Sequence, residues 1–464
     1  MNKPVIAILG VFVLIFLLGS FLLQEWASVI VILISFGLMF LSLNGKKQGY
    51  FLSVFFLAIA IRQVASLVNV YYMLLIGADM DAVGFHSIAS SMSRSIQPDW
   101  FTEFGNMDVG SSSYIKFLSI FYQIFGDSKL LGQGLSIIAY TVSCLLFLKF
   151  IEETRIKQWT TGLISLYGLL PSVIIFTSIT MRESYQMLFF LLTAYGTIRL
   201  RRKISSLSIC YIIVGAIGLI LLHNGLVVYA LFLTCFNLFW GFGLSEWKKQ
   251  NHNIFAKIFG ILLISGAFAV WGYLASDLGS ASKALMSGEG ATYAGGYREK
   301  STSSSDRATY GTTLDTSSAG AFFPSAALVF MLYMFAPFPW QLNSSVDIYA
   351  ALEGILRMLL IYYAVITWHR ARGERRSQWG YLLICFFSLE FLWAMGTANW
   401  GTAIRHHLVA YSILVIIGGP GLIKSVNKRI FKIRRFGRRK LSRGIPTRIR
   451  PVSLTPNPPY SYKK

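Results

Sequence analysis

Residues 205–243 read SSLSICYIIVGAIGLILLHNGLVVYALFLTCFNLFWGFG, and this stretch decides the fold class. It contains two uncharged apolar runs, 205–222 and 225–243, separated only by His223 and Asn224. Each run approaches the length of about twenty residues that carries a helix across a hydrocarbon core, where backbone polar groups must bond within the segment. The stretch therefore predicts a helical hairpin within a membrane.

The whole chain repeats this pattern. Of its 464 residues 55% are hydrophobic and only 13% are charged, whereas soluble domains average about 25% charged residues, which argues against a water-soluble globule. Apolar runs lie at 4–23, 27–44, 50–75, 129–150, 160–178, 184–199, 205–222, 225–243, 254–276, 349–367, 378–396 and 407–423. The sequence predicts an all-α, polytopic membrane bundle of about twelve transmembrane helices, residues 1–423.

Basic residues assign the sides of this bundle. If Lys3 is cytoplasmic and each run crosses once, the basic clusters fall on one side, as the positive-inside rule requires. These clusters are Lys46–Lys47, Arg155 with Lys157, Arg199–Lys203, Lys248–Lys249, Arg370–Arg376 and the C-terminal tail. We therefore expect a multi-pass protein of the cell (inner) membrane with cytoplasmic N- and C-termini.

Much of the net charge of +22 lies in the tail, 424–464, which holds fourteen Lys or Arg and no acid. A basic segment directly after an apolar span is typical of a cytoplasmic contact with anionic lipids. We expect this tail to be disordered. Nucleic-acid binding is the less favoured alternative, because no aromatic stacking module accompanies the basic residues.

A thirteenth, shorter apolar stretch at 322–340 does not fit the alternation of sides. If it crossed fully, the basic loop HRARGERR would move to the outer side. Pro324, Pro337 and Pro339 interrupt the stretch and remove backbone donors. We predict a re-entrant or broken helix that ends at 337–340; the alternative is a full span with another span misassigned.

Two long external loops follow from this topology, at about 77–128 and about 277–321. The second loop is rich in Ser, Gly, Thr and Ala and has few large apolar residues, so it cannot form its own core. It is interpreted as a flexible lid over a substrate, with an idle disordered insertion as the open alternative.

The first loop carries acidic residues where an apolar helix emerges. Asp79 and Asp81 lie there, and His86 follows closely. A carboxylate partly shielded from water could take a proton from a sugar hydroxyl as a general base. An Asp-x-Asp pair could instead hold a divalent cation, or both acids could be solvated loop residues. Asp79, Asp81 and His86 are the catalytic candidates.

Short external turns bring further polar residues to the same side. They are Arg182 with Glu183, His223 with Asn224, and Arg405 with His406 and His407. Arginine suits bidentate contact with phosphate, and a histidine could donate a proton. Singly each is an ordinary interfacial residue; their recurrence in three turns favours a diphosphate site formed by Arg182, Glu183, His223, Arg405 and His406.

Two ionisable residues fall inside predicted spans. Arg62 lies near the middle of 50–75, and Glu390 lies in 378–396. Because charge in lipid is costly, both should face the interior, as a structural pair, as part of a substrate cavity or as a proton relay in a transporter. Arg62 is therefore added to the substrate-binding candidates.

Taken together, these features resemble the GT-C superfamily of membrane glycosyltransferases and the related bacterial surface-polysaccharide polymerases and ligases. The segment ADMDAVGFHSIA (78–89) is similar to that family's first-loop acid and implies a base role for Asp79 or Asp81. The segment TSITMRESYQMLF (177–189) resembles a turn of such proteins and implies that Arg182 meets a lipid-linked phosphate. One departure is that the acid follows the third span here, whereas in the family it commonly follows the first.

The resemblance implies transfer of sugar from a polyprenyl-phosphate or diphosphate carrier to an acceptor glycan in surface-polysaccharide biosynthesis. Asp79 or Asp81 would activate the acceptor, and Arg182, Arg405 and His406 would stabilise the departing phosphate. The alternatives are a flippase or exporter of a lipid-linked glycan, and a membrane scaffold. No GxxxxGK[ST] sequence for a P-loop, HExxH or GxSxG occurs.

Overall fold

A computed structural model describes residues 33–35, 37, 50–95, 110–242, 284, 287, 289–303, 308–310 and 312–444. The predicted spans 4–23 and 254–276, and most of 27–44, lie outside the described residues. Within them the structure is α-helical with short connections, and the β-type pairing is an isolated bridge between Thr309 and Asn399. The all-α class is therefore confirmed for this part of the chain.

The helices are numbered here in chain order over the described residues. They are α1 Tyr50–Tyr71, α2 Val83–Ser95, α3 Ser111–Phe125, α4 Lys129–Glu153, α5 Thr160–Gly168, α6 Pro171–Phe176, α7 Glu183–Arg202, α8 Ser206–Leu222, α9 Asn224–Phe242, α10 Gly290–Ser303, α11 Ala319–Phe335, α12 Ser345–Arg370, α13 Gly373–Gly396 and α14 Trp400–Gly444. A π-helical turn at Ala78–Ala82 precedes α2.

Five of these helices are long and apolar enough to cross a membrane. The candidate segments are Ser53–Tyr71, Lys129–Glu153, Ser345–Arg370, Gly373–Gly396 and Trp400–Arg429. Apolar parts of α8, α9 and α11 are shorter. These helices are compatible with a membrane protein, whereas the predicted total of about twelve spans is not confirmed.

The predicted span 160–178 is divided into two short helices. Pro171 is the first residue of α6, and Leu170 before it is extended, with φ −65° and ψ 128°. A proline disfavours the helical conformation in the residue that precedes it, so α5 ends before this point. The apolar run 160–178 is uninterrupted in the sequence, but the helix is broken between Gly168 and Pro171.

The turns between helices lie at two opposite ends of the bundle. At one end, Arg201 on α7 pairs with Glu374 on α13 at 2.5 Å, and Arg202 pairs with Glu153 on α4 at 2.6 Å. This basic end gathers the predicted clusters near residues 155, 200 and 372. Glu183 and Gly396 lie at the other ends of α7 and α13, which form the opposite end of the bundle.

Helix α11 packs against α12 and α13 in the part of the chain that the structure describes. It continues through Pro324 and ends at Phe335, so the expected break at Pro324 is not present. Its end contacts Arg357, which donates from Nη2 to Met334 O at 2.8 Å and lies about 18 Å along α12 from Ser345. The chain then returns to the start of α12. Helix α11 therefore ends within the bundle and does not extend to the basic end.

The chain divides by its internal contacts after Gly421, and the second unit is 422–464. Residues 422–444 are assigned as helical. Lys and Arg are strong helix formers, and 422–444 contains no proline. The disorder predicted for the tail stays a prediction. Residues 445–464 lie outside the described part.

The backbones of α12 and α14 lie in close contact at Leu360 and Gly418. A Cβ added to Gly418 would lie 2.1 Å from the carbonyl oxygen of Leu360, closer than any side chain permits. Small residues allow membrane helices to approach in this way. The position of α14, which carries Arg405 and His406, therefore depends on Gly418.

We predict that Gly418→Ala destabilises the protein by about 1–3 kcal/mol, because the added methyl group must push α14 away from α12. Thermal unfolding in detergent measures the effect. Gly84→Ala is the matched control, since a Cβ there meets no atom within 4 Å. Equal melting temperatures for both variants would contradict the proposed backbone contact.

Candidate functional site

A cavity of about 890 Å³ lies at the opposite end of the bundle. Its lining includes polar side chains from four separate parts of the sequence: Asp81, Arg182, His223, Arg405 and His406. We call it the cationic cavity. The structure thus brings together five of the nine residues that the sequence predicted for a site.

Arg182 enters the cationic cavity just before α7 begins. Its Nη1 donates to Ser111 Oγ at 2.7 Å and to the carbonyl oxygen of Leu222 at 3.3 Å, and the guanidinium lies 5.7 Å from the ring of Phe85. Leu222 is the last residue of α8, where carbonyl groups lack helical partners. Arg182 therefore joins three elements while its guanidinium borders the cavity.

Arg405 is paired with an acid from the predicted first loop, about 77–128. Its Nη1 donates to Asp81 Oδ2 at 2.5 Å, across 324 positions of sequence. The Arg405 side chain is 17% exposed and that of Asp81 is 44% exposed, so solvent and solutes reach the carboxylate. The pair fixes the turn Ala78–Ala82 against α14 at the wall of the cavity.

Two histidines pack around Trp393 at the same wall. The ring of His406 stacks on Trp393 with a centroid distance of 4.0 Å, and His223 meets Trp393 edge-on at 4.7 Å. Nδ1 of His223 accepts the backbone N–H of Gly225 at 3.0 Å, which leaves its proton on Nε2. Burial, and then the charges of Arg182 and Arg405, lower the pKa of His223 well below its usual range. His223 is therefore a neutral hydrogen-bond donor at pH 7.

The remaining lining is largely apolar. Ile76, Ile175, Phe176, Val228 and Leu392 contribute to it. A cavity with two guanidinium groups, neutral imidazole and an aliphatic wall suits a ligand with an anionic head and an apolar body.

Helix α10, within the predicted second loop, also lines the cationic cavity, through Gly290, Tyr293 and Ala294. Arg298 attaches this helix: it is 1% exposed, and its Nη1 donates to the carbonyl oxygens of Ala394 and Thr397 at 3.0 and 2.7 Å. These carbonyls belong to the end of α13. The described part of the loop is thus attached to α13 at the border of the cavity.

Sequence reasoning missed Arg298. The sequence around it gives little signal, because Lys283, Lys300 and Arg307 lie in the same loop. Composition does not show which of these side chains can bond the end of a distant helix.

Three predicted residues near the cavity do not line it with described side chains. His86 contacts the hydroxyl of Tyr122 through Nδ1 at 3.0 Å, and burial and nearby Lys129 lower its pKa. Glu183 is 2% exposed at the start of α7. The backbone of Asp79 lies in the turn Ala78–Ala82, and its side chain lies outside the described part.

Arg62 is not in the cationic cavity. It is fully buried, donates from Nε to Thr177 Oγ1 at 2.7 Å and from Nη1 to the carbonyl oxygens of Ala58 and Gly168 at 2.6 and 2.9 Å, and lies over the ring of Tyr140. Gly168 ends α5. Its contacts make Arg62 a structural cap, because the break at Pro171 leaves carbonyls that need a donor.

Glu390, the second ionisable residue predicted within a span, pairs elsewhere. Its Oε2 lies 2.5 Å from Nδ1 of His407, whose Nε2 lies 3.2 Å from the carbonyl oxygen of Tyr333. A carbonyl accepts only, so Nε2 carries a proton, and a second proton lies between Nδ1 and Oε2. The suggested pairing of Arg62 with Glu390 is therefore wrong.

The cation site predicted at Asp79 and Asp81 lies partly outside the described side chains, because that of Asp79 is not among them. Among residues whose side chains are described, no group of three or more His, Cys, Asp or Glu could hold a metal ion. The described partner of Asp81 is Arg405.

Comparisons of the chain with protein-family models, with curated proteins and with solved structures found no match.

We predict that acidification destabilises the protein partly through His223. A histidine whose pKa is lowered by folding binds its proton more readily when unfolded, so stability falls as pH drops below about 6.5. One such group contributes at most about 1.4 kcal/mol per pH unit. Melting curves from pH 7.5 to 5 should show a smaller acid loss for His223→Gln than for wild type; identical slopes would contradict the neutral assignment.

A second prediction concerns the docking of α10. Arg298→Ala should speed hydrogen exchange of 290–303 by about tenfold or more, because one charge-assisted hydrogen bond is worth about 1.5 kcal/mol or more. Mass spectrometry of peptides from this helix measures the rate. Glu299→Ala is the control at an exposed neighbour. Unchanged exchange in Arg298→Ala would show that other contacts hold α10.

Proposed function

We propose that this protein is an integral membrane glycosyltransferase or polysaccharide polymerase that uses a polyprenyl-phosphate-linked sugar or glycan donor in surface-polysaccharide biosynthesis. The observation that carries the proposal is the convergence of Arg182, Arg405, His223 and His406 on one cavity with an aliphatic wall. These groups match the two parts of such a donor, a phosphate and a long apolar chain.

The electrostatics of the cationic cavity favour an anionic ligand. Arg182 and Arg405 contribute two positive charges, Asp81 contributes one negative charge, and His223 is neutral. Guanidinium groups bind phosphate oxygens in a bidentate manner and remain charged at all physiological pH values. Among the described lining, two guanidinium groups are therefore available to a phosphate or diphosphate.

In the proposed reaction, the bond between the anomeric carbon and the phosphate oxygen breaks, and its electron pair leaves with the phosphate. The acceptor oxygen bonds to the anomeric carbon, and its proton passes to the carboxylate of Asp81. Arg182 and Arg405, with His406, stabilise the charge that develops on the departing phosphate. Donors held in position in a partly closed cavity act more strongly than the same groups in water.

The membrane arrangement in this proposal follows the basic clusters. The basic end would face the cytoplasm and the cationic cavity the outer leaflet of the inner membrane, with both termini cytoplasmic and about twelve spans in total. Helix α11 would be re-entrant from the outer side. Helix α10 would cover the glycan, since Tyr293 lines the cavity.

A flippase or exporter of a lipid-linked glycan is the second candidate. The buried pair of Glu390 and His407 favours it, because a proton shared inside the bundle could be exchanged with an ion gradient. In that case movement of the lipid would depend on the gradient. Glu390→Gln would abolish movement and leave bond formation unaffected.

The test is sugar transfer by purified full-length protein in nanodiscs, supplied with a polyprenyl-diphosphate sugar and an acceptor glycan. We expect Asp81→Asn to lower turnover by about a hundredfold or more, the typical contribution of a general base. Asp127→Asn is the matched control, since Asp127 forms an exposed ion pair with Arg94 at 2.6 Å and does not line the cavity.

Two results would count against the proposal. Unchanged turnover in Asp81→Asn would remove the base assignment, and Asp79→Asn would then test the neighbouring acid. If wild type moved the donor lipid in response to an ion gradient and transferred no sugar, the result would support the flippase and contradict the transferase.

A further inference from the structure

We propose that the ion pair of Asp81 and Arg405 is the resting state of an exchange in which the anionic headgroup of the donor takes Arg405 and releases the carboxylate of Asp81. Donor binding would thereby precede acceptor activation. The inference depends on the proposed function, because it assigns an order of events to the same site.

Arg405 differs from four other arginines in the kind of group to which it donates. Arg62, Arg298 and Arg357 each donate to main-chain carbonyl oxygens at the end of a helix: Gly168 of α5, Ala394 of α13 and Met334 of α11. Arg182 likewise reaches Leu222 at the end of α8. The acceptors in these described bonds are neutral carbonyl oxygens.

Arg405 instead contacts a carboxylate that lies at the cavity and is 44% exposed. An ion pair with such an exposed member is weak, because water screens both charges. A diphosphate carries more negative charge than Asp81 and presents several oxygens to the guanidinium. It can also contact Arg182 at the same time, which Asp81 is not observed to do among the described contacts. The incoming headgroup therefore competes well for Arg405.

Release matters because the base must offer an oxygen to the acceptor. In the resting structure an N–H of Arg405 points at Oδ2 of Asp81 at 2.5 Å and occupies one of the acceptor positions that the carboxylate can offer to a hydroxyl group. After exchange this position is also accessible. The bound phosphate and the free carboxylate then repel each other, and transfer of the acceptor's proton to Asp81 relieves that repulsion.

A purely positioning role for Asp81 makes the opposite prediction for headgroup affinity. If Asp81 only holds Arg405 in place, its loss would loosen the guanidinium and weaken anion binding. If Asp81 competes with the anion, its loss would strengthen binding. The sign of the change in affinity distinguishes the two roles. The small free energy of an exposed ion pair predicts that the anion binds about threefold more tightly without Asp81.

The experiment measures binding of inorganic pyrophosphate to full-length protein in detergent by calorimetry. We expect Asp81→Asn to bind about threefold more tightly than wild type, Arg405→Gln to bind at least about tenfold more weakly, and Asp127→Asn to bind as wild type does. Equal or weaker binding in Asp81→Asn, or no binding of pyrophosphate to wild type, would overturn the exchange.

A second measurement uses the wild-type chain and so does not depend on the folding of a variant. Pyrophosphate should increase hydrogen exchange of 78–82, because the turn loses its contact with α14, and it should have no such effect in Arg405→Gln. Protection of the turn by pyrophosphate would overturn the exchange. A protein that shows the exchange but transfers no sugar would refute the proposed function alone.

Discussion

The contact between Asp81 and Arg405 sets the resting arrangement of the cationic cavity. It joins the turn Ala78–Ala82 to the start of α14, across 324 positions of sequence. The pair holds this turn where Arg182 and His223 also line the cavity. One ion pair thus closes the wall of a cavity and leaves a partly exposed carboxylate within it.

Helix ends explain most of the other buried charge. A helix that stops within a bundle leaves carbonyl oxygens without donors, and here arginines supply them at the ends of α5, α8, α11 and α13. Positive groups are also favoured at these ends by the helix dipole. The interior can therefore contain helices that stop within the bundle, and the end of α13 and the turn after α8 line the cavity. His407 adds a further link, since it contacts both Glu390 on α13 and Tyr333 on α11.

Much of this architecture could be predicted from hydropathy and turns. The apolar runs that became α4, α8 and α13 are visible in the sequence, and so is the recurrence of Arg182, His223 and Arg405 in short turns beside apolar spans. Partner choice could not be predicted, because hydropathy places Arg62 and Glu390 in the interior without showing that Thr177 and His407 receive them. The roles of Arg298 and of the break at Pro171 likewise depend on contacts across distant parts of the chain.

We propose that the cationic cavity holds a lipid with a phosphate head. Native mass spectrometry of the protein extracted from its membrane in mild detergent would detect such a lipid. We expect a bound isoprenoid phosphate or diphosphate in wild type, lost in the double variant Arg182→Gln/Arg405→Gln and retained in Arg94→Gln, which removes an exposed arginine of the predicted first loop. A lipid complement that is the same in all three proteins would contradict it.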